Sequence, residues 1–423
     1  MTANDRLRDA TFVSGLQQCV HCGLCLPACP TYHVFHTEMD APRGRLALMA
    51  AASEGRVPLD GALRLHLDRC LGCRACETVC PSGVPYGALL ETARLAIEAE
   101  RTPSTAERLV RRLALHELLP RVDRLRRLAL VTRGLQQVGL FKLADHLPLS
   151  LDRIKRMAAL LPPEISTEFT RPGVYPPVGE RRGRVAFFMG CVQEALLAHV
   201  NAATVRVLQH NGYEVHVVPG QTCCGAVAYH LGDEATAVEL AKHNVAAFAG
   251  DYEAIINNAG GCGAMLKEYA ALLGDGRARE FVARVQDVTE FLAERLHHAP
   301  TNPVPGRVTY VDSCHLRHAQ RVVGPPRRLL AAIPGLELVE LSRPDHCCGS
   351  AGVYNLLHPE TAEIILDAKM ADVAQTQATF VATTNTGCYL QVLYGVRRWA
   401  LDARVVHVVE LLDMAYGAGR KAS

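Results

Sequence analysis

The sequence predicts an α+β multidomain protein: an N-terminal α-helical domain, a helical connector, and two repeated α/β domains. Three observations predict it. All 16 cysteines fall into four clusters with none left over. The C-terminal 240 or so residues repeat themselves with a period near 123, the distance from Arg184 to Arg307. A proline-rich break separates that repeat from what precedes it. At 423 residues and 49% hydrophobic, the chain can bury several cores, and the expected boundaries are 1–95, 96–161, 162–183, 184–300 and 301–423.

The first domain, 1–95, carries two cysteine runs. One is Cys19-Val-His-Cys22-Gly-Leu-Cys25-Leu-Pro-Ala-Cys29-Pro30, and the other is Cys70-Leu-Gly-Cys73-Arg-Ala-Cys76-Glu-Thr-Val-Cys80-Pro81. Both read C-x2-C-x2-C-x3-C-P, the bacterial [4Fe-4S] pattern. Zinc sites also use C-x2-C, but in two pairs rather than three thiolates from one short loop with a distant fourth. In a two-cluster arrangement the cysteine before proline crosses to the other cube. This assigns Cys19, Cys22, Cys25 and Cys80 to one cluster, and Cys70, Cys73, Cys76 and Cys29 to the other. Gly23 and Gly72 suit close backbone approach to sulfur. The gap of 40 residues between Cys29 and Cys70 is too long for a minimal hairpin, and its helix-prone stretch after Pro42 indicates an α-helical ferredoxin domain.

Residues 96–161 form a basic helical connector. From Arg101 to Leu160 there are 13 Arg or Lys against 5 Asp or Glu, in a chain whose net charge is only +2. Leu109, Leu113, Leu118, Val122, Leu125 and Leu128 recur at helical spacing with arginines between them. Two roles stay open: a solvated helix packed on the body, or a docking surface for anionic lipid or an acidic partner. Prolines at 162, 163, 172, 176 and 177 then mark 162–183 as a linker.

Within the repeat, Arg184-Val-Ala-Phe-Phe-Met-Gly-Cys191 matches Arg307-Val-Thr-Tyr-Val-Asp-Ser-Cys314, and two Cys-Cys-Gly motifs match at Cys223-Cys224-Gly225 and Cys347-Cys348-Gly349. Cys262 and Cys388 complete the sets. Short β-prone runs ending near a cysteine alternate with helical segments, which implies parallel β/α units with the cysteines gathered at the strand C-termini. Each copy thus offers four thiols: Cys191, Cys223, Cys224, Cys262 and Cys314, Cys347, Cys348, Cys388. They are read as ligands of one or two further iron-sulfur clusters, with buried small hydrophobes as the bland reading.

The spacings C-x31-C-C-G-x36-C and C-x32-C-C-G-x38-C resemble the cysteine-rich domain of the heterodisulfide reductase family. There the motif ends in C-x2-C, giving five cysteines able to hold a noncubane cluster. Here Ala259 and Asn385 occupy the position of the first cysteine of that pair, which counts against thiol-disulfide chemistry. The order of parts, with Cys-Pro-Thr-Tyr, Pro-Arg-Gly-Arg and Asp68-Arg-Cys-Leu-Gly-Cys-Arg-Ala-Cys-Glu-Thr-Val-Cys-Pro-Ser-Gly-Val84, resembles the family of bacterial glycolate oxidase iron-sulfur subunits over essentially the whole chain. Subunits of anaerobic glycerol-3-phosphate dehydrogenase share the layout.

The resemblance implies an oxidoreductase subunit that transfers electrons and does not itself oxidise substrate. An FAD-containing subunit and a related flavin-fold subunit would oxidise glycolate to glyoxylate, and this chain would pass the electrons toward a quinone or other acceptor. No G-x-G-x-x-G opens a Rossmann unit, so no catalytic residue is expected here. The alternatives are a subunit of a glycerol-3-phosphate or lactate dehydrogenase, or a heterodisulfide or quinone reductase acting at its own cysteine-rich domains. The near-neutral charge gives no global signature of nucleic-acid binding. No secretory signal or charge-free run of ~18 apolar residues is present, so a cytoplasmic protein is expected, with any membrane contact peripheral on the cytoplasmic face of the inner membrane.

His230, His315, His318 and His346 lie near the cysteine-rich motifs, where hydrogen bonding to sulfur competes with structural roles. His21 reads as a loop residue. Lys242 and Lys369 follow the two Cys-Cys-Gly motifs at similar distances, with solvent as the default for lysine. Arg43 and Arg45 are candidates to offset cluster charge or to bind a partner carboxylate.

Overall fold

The computed structural model describes residues 2–139 and 152–417. The N-terminal domain is all helix: α1 (Ala3–Leu7), α2 (Ala10–Gln17), α3 (Pro30–Phe35), α4 (Pro42–Ser53), α5 (Gly61–Asp68), α6 (Ala75–Thr78) and α7 (Tyr86–Glu100). Pro30 and Pro42 each stand at the first turn of their helix, where a missing N–H costs nothing. Leu7, Met49, Leu63, Leu67, Leu90 and Ala96 form its core. The two cysteine loops run between α2 and α3 and between α5 and α7.

The connector comprises α8 (Thr105–Arg111), a π-helical continuation over Arg112–Leu118, α9 (Val122–Gln137) and α10 (Asp152–Leu160); the part of it at 140–151 lies outside the described residues. Its inner face packs on the first repeat. Leu119, Val122 and Leu125 meet that repeat's core, and Arg126 reaches the buried Glu194 (2.7 Å) and the Thr170 carbonyl (2.6 Å).

The first repeat contains β1 (Gly173–Tyr175), β2 (Gly183–Phe188), α11 (Cys191–Leu196), α12 (Ala198–His210), β3 (Tyr213–Val217), α13 (Ala226–His230), α14 (Glu234–Ala247), β4 (Ala254–Asn257), α15 (Gly260–Leu273), α16 (Gly276–Arg284), β5 (Val285–Asp287) and α17 (Val288–Glu294). The second contains β6 (Gly306–Tyr310), a π-helical turn His315–Ala319, α18 (Gly324–Ala331), β7 (Leu336–Leu338), α19 (Tyr354–Leu357), α20 (Pro359–Gln375), β8 (Phe380–Thr383), α21 (Thr386–Arg398), β9 (Arg404–His407) and α22 (Val408–Ala415). The sheet orders are β1-β3-β2-β4-β5 and β7-β6-β8-β9, so the parallel core β3-β2-β4-β5 recurs as β7-β6-β8-β9. Matching registers, Val185 beside both Val215 and Ala254, and Val308 beside both Leu338 and Phe380, show one unit used twice.

The 162–183 segment does more than link. Gly173–Tyr175 adds an antiparallel edge strand to β3, and Ile165 is fully buried between connector and repeat. Prolines suit this edge because a strand with one unpaired side can lose an N–H there.

The two repeats pack reciprocally: α12 lies on α22, and α17 lies on α18. One apolar core runs through both, joining Val200, Val207 and Leu292 to Leu330, Val409 and Leu412. The arrangement turns the C-terminal ends of both sheets toward each other. Gly260 N donates to the Thr384 carbonyl (2.9 Å), and Thr386 Oγ1 donates to Gln193 Oε1 (2.6 Å).

Candidate iron-sulfur sites

In the helical domain, Cys19, Cys22, Cys25 and Cys80 line one cavity together with Pro42, Arg43, Cys76 and Tyr86. Its loop turns through left-handed conformations at His21 (φ 55°) and Gly23 (φ 82°), and the His21 carbonyl accepts from Arg43 Nη1 at 3.0 Å. His21 thus serves through its backbone. Arg43 is held by Glu38 (2.7 Å) at the rim, and Cys22 is exposed there.

A second cavity is lined by Cys29, Cys70, Cys73 and Cys76 with Arg45, Leu71 and Tyr86. All four thiols are buried. Gly72, at φ 63°, directs its N–H to Cys70 Sγ (3.4 Å), and the Tyr86 hydroxyl lies 3.6 Å from the same sulfur. Arg45 is fully buried. It donates to the His66 carbonyl (2.7 Å) and Thr31 Oγ1 (3.0 Å), approaches Cys29 Sγ at 3.9 Å, and pairs with Asp40 at 3.7 Å. Asp40 also takes His66 (2.9 Å) and Arg69 (3.0 Å), and although burial opposes its charge, these partners hold its carboxyl below the ordinary range. Burial likewise opposes a Cys70 thiolate, and the Arg45 and Arg94 guanidinium groups overcome it, so this thiol is held low. Cys73 and Cys76, without that help, are pushed up by burial. Of the two arginines weighed from sequence, Arg45 faces sulfur and Arg43 guards the rim.

In the first repeat, Cys191 follows β2, Cys223 and Cys224 follow β3, and Cys262 follows β4. Cys191 Sγ and Cys223 Sγ are 3.4 Å apart, and Gly225 N donates to Cys223 Sγ at 3.5 Å. In the second, Cys314 follows β6, Cys347 and Cys348 follow β7, and Cys388 follows β8. Cys348 Sγ lies 3.2 Å from Cys388 Sγ, and Gly349 N donates to Cys347 Sγ at 3.4 Å. Amide donors to sulfur, left-handed glycines and thiols gathered from separate strands recur in both copies. No group of three or more His, Cys, Asp or Glu among the described residues converges on a single-ion site. The helical domain's quartets ring cavities, a donor set whose chemistry suits polynuclear iron-sulfur groups.

The histidines divide by contact. His315 Nδ1 lies 3.6 Å from Cys314 Sγ, and burial drives its pKa down to about 3. His318 bridges Thr78 (2.8 Å) and the Asp345 carbonyl (3.1 Å), tying the second repeat to the helical domain. His346 stacks on His33 with centroids 6.0 Å apart. His230 pairs with the buried Glu91 at 2.8 Å. Lys369 departs from the solvent default: it is buried, with Nζ donating to the Arg343 carbonyl at 2.7 Å, whereas Lys242 is exposed. Tyr86, Arg94, Tyr354, Asn244 and Tyr269 line or support these sites and carried no sequence signal.

The quartets are not placed independently. The two cavities share Pro42, Cys76 and Tyr86. Leu71, Cys73 and Ala75 pack in one buried cluster with Cys314, Cys347 and Tyr354, and the Tyr354 hydroxyl donates to the Arg69 carbonyl (3.0 Å). The first repeat meets the helical domain through the ion pairs Arg74–Glu268, Arg6–Glu234 and His230–Glu91.

A helical domain with two thiol-ringed cavities, joined to a duplicated α/β unit with four clustered thiols per copy, defines an iron-sulfur protein of the dicluster type. The profile of the 4Fe-4S dicluster domain matches residues 15–84, and that of the cysteine-rich domain matches 185–267 and 308–393. The "Probable glycolate oxidase iron-sulfur subunit" of Bacillus subtilis (strain 168) is 42% identical over 96% of this chain and 95% of its own length. The "Glycolate oxidase iron-sulfur subunit" of Escherichia coli (strain K12) is 34% identical over 98% and 97%. A fumarate reductase (CoM/CoB) subunit of Methanothermobacter marburgensis is 30% identical over 95% of this chain and 72% of its own. The chain belongs to the family of glycolate oxidase iron-sulfur subunits.

Proposed function

We propose that this chain is the electron-transferring subunit of a glycolate-oxidising complex, taking electrons from a flavin subunit that converts glycolate to glyoxylate and passing them toward a quinone or other acceptor. The observation that carries it is the contiguity of three quartets: the outer cavity shares a wall with the inner one, and the inner one's Cys73 abuts Cys314 and Cys347. Glycolate rests on the full-length likeness to the two relatives bearing that name.

In this reading Cys19, Cys22, Cys25 and Cys80 hold one [4Fe-4S] cluster, and Cys29, Cys70, Cys73 and Cys76 the other. Cys191, Cys223, Cys224 and Cys262, and Cys314, Cys347, Cys348 and Cys388, hold one or two further iron-sulfur groups. When bound, such clusters supply one-electron levels whose potentials are set by charge, burial and hydrogen bonds to sulfur. The protein's residues supply those settings: Arg45, Tyr86 and the Gly72 amide around the inner cavity, and the Gly225 and Gly349 amides in the repeats. Exposed Cys22 puts the outer cavity within reach of a partner. The outer face of α9, with Leu128, Val131, Leu135 and Val138 exposed beside Arg127, offers a second surface to a partner or a peripheral membrane contact. No helix of the described residues is long and apolar enough to cross a membrane.

The test is substitution of Cys22 or Cys73 by Ser in the assembled complex. Acceptor reduction is lost while substrate still reduces the flavin; undiminished turnover to the acceptor refutes the relay. Anaerobically purified protein contains more than about eight irons per chain, the content of two [4Fe-4S] cubes.

A further inference from the structure

The two repeats share one pattern but differ in the charged groups they bury, and one of those in the second copy is a lysine. In the first, Gly225 packs on Ala237 of α14; in the second, Gly349 packs on Ala362 of α20. Two helical turns beyond each alanine the side chain returns toward the Cys-Cys-Gly loop. That position is Asn244 in the first copy and Lys369 in the second, so the counterpart of Lys369 is Asn244 and not Lys242.

Asn244 is neutral and fully engaged. Its Oδ1 accepts from Thr222 N (3.0 Å), and its Nδ2 donates to the Cys223 carbonyl (3.0 Å) and the Tyr269 hydroxyl (3.1 Å). Lys369 is 2% exposed, and its Nζ donates to the Arg343 carbonyl, four residues before Cys347. The helix face that carries it, with Leu366 and Met370, shares its apolar cluster with Cys348 and Cys388. Burial opposes its charge and holds its pKa below the ordinary lysine value, against the pull of Asp372, Cys348, Cys347 and Asp312, and the His346 ring also lies within its electrostatic reach. Asp372 is occupied in turn by Ser342 and the Arg343 amide. A buried ammonium group is costly unless anions face it, and a methionine would fill the same space without that cost.

We propose that Lys369 is a positioning residue of the second thiol quartet: its buried ammonium offsets the negative charge of the Cys347–Cys348 thiolates, an offset the first quartet lacks because Asn244 stands there. The inference rests on the reading that the quartets of the repeats bind iron-sulfur groups. It makes the two copies unequal, the second holding its group at the higher reduction potential, since a nearby cation favours the more negative, reduced form.

The test uses the anaerobically purified whole complex with Lys369→Gln, Lys369→Arg and, as surface control, Lys242→Gln. Iron content, thermal stability and an EPR-monitored redox titration are read on each. With iron content unchanged, Lys369→Gln lowers the midpoint of one signal by roughly 59 mV, a tenfold change in the ratio of reduced to oxidised form for a one-electron couple. Lys369→Arg and Lys242→Gln leave every midpoint in place. Loss of iron in the Gln variant with retention in the Arg variant also supports the charge role. Loss in both, or full iron content with an unmoved midpoint in Lys369→Gln, overturns it. Wild-type protein holding no more than about eight irons, with no signal beyond those of two cubes, removes the premise and the inference together.

Discussion

Alanine at the glycine of each Cys-Cys-Gly motif is expected to have unequal effects, although the motifs read alike. Gly225 and Gly349 both adopt left-handed backbone, at φ 85° and φ 86°. A side chain there costs about 1–2 kcal/mol at either site, and the alanine recovers about 0.4–1 kcal/mol by restricting the unfolded chain. The surroundings then differ. A Cβ at Gly225 would meet Ala237 Cα at 3.4 Å, ordinary contact at its tight limit. A Cβ at Gly349 would sit 2.6 Å from the Ala362 carbonyl oxygen, a backbone atom within α20 that cannot swing aside. Overpacking of that kind adds about 1–3 kcal/mol. Gly225→Ala is therefore expected to cost about 1 kcal/mol and Gly349→Ala about 2–4 kcal/mol. Urea unfolding followed by circular dichroism, compared as midpoints at unchanged slope, measures the difference. Equal midpoints for the two variants, or a larger loss at Gly225, would refute the reasoning.

Arg45→Met removes the buried guanidinium and leaves the His66 carbonyl and Thr31 Oγ1 without their donor while Asp40 keeps His66 and Arg69, so a loss of about 1–3 kcal/mol is expected in thermal or urea unfolding. His407, buried between the repeats, donates from Nε2 to the Asn258 carbonyl (2.9 Å) and accepts at Nδ1 from Val409 N (3.1 Å), which fixes the neutral ring. Burial lowers its pKa to about 4 from 6.5. The unfolded chain therefore binds this proton first. The folded state keeps its full stability above pH 6.5 and loses about 3 kcal/mol through this residue as pH falls through 4, at about 1.4 kcal/mol per pKa unit. His407→Gln should flatten the unfolding midpoint against pH across that window; an unchanged slope counts against the assignment.

The doubled β/α unit and the meeting of its cysteines at strand ends were legible because parallel strands ending at a cysteine leave a local pattern, and duplication prints that pattern twice. The helical character of the first domain was legible from Pro42 and the apolar spacing of the stretch behind it. Long-range packing left no such trace. That Gly173–Tyr175 joins β3 depends on the edge β3 leaves open, not on the prolines around it. That Lys369 is buried and Lys242 exposed follows from which helix face meets the Cys-Cys-Gly loop, and counting residues from the motif mispaired the two lysines. The connector packs its inner face on the first repeat, while its exposed apolar row on α9 was not separable from that face by periodicity alone.

The positions of the two absent cysteines show how far the copies have diverged. Ala259 is buried beside its own copy's thiols: a Cβ at Gly190 would meet both Ala259 Cβ (4.0 Å) and Cys262 Sγ (3.6 Å), so an apolar methyl fills the space and donates nothing. Asn385 instead uses both ends of its amide. Its Nδ2 donates to Cys388 Sγ (3.5 Å), and its Oδ1 accepts from Gly261 N of the other copy (2.9 Å), at the first turn of the helix that carries Cys262. A hydrogen bond to sulfur stabilises the reduced, more negative form, as a buried cation does. In the proposed relay Asn385 and Lys369 of the second copy therefore act in the same direction, whereas Ala259 and Asn244 of the first copy offer neither a donor to Cys262 nor a charge. The copy that has both features is the one whose Cys314 and Cys347 pack against Cys73. In the proposed relay, the copy placed beside the helical domain's inner cavity is the one whose surroundings favour an incoming electron.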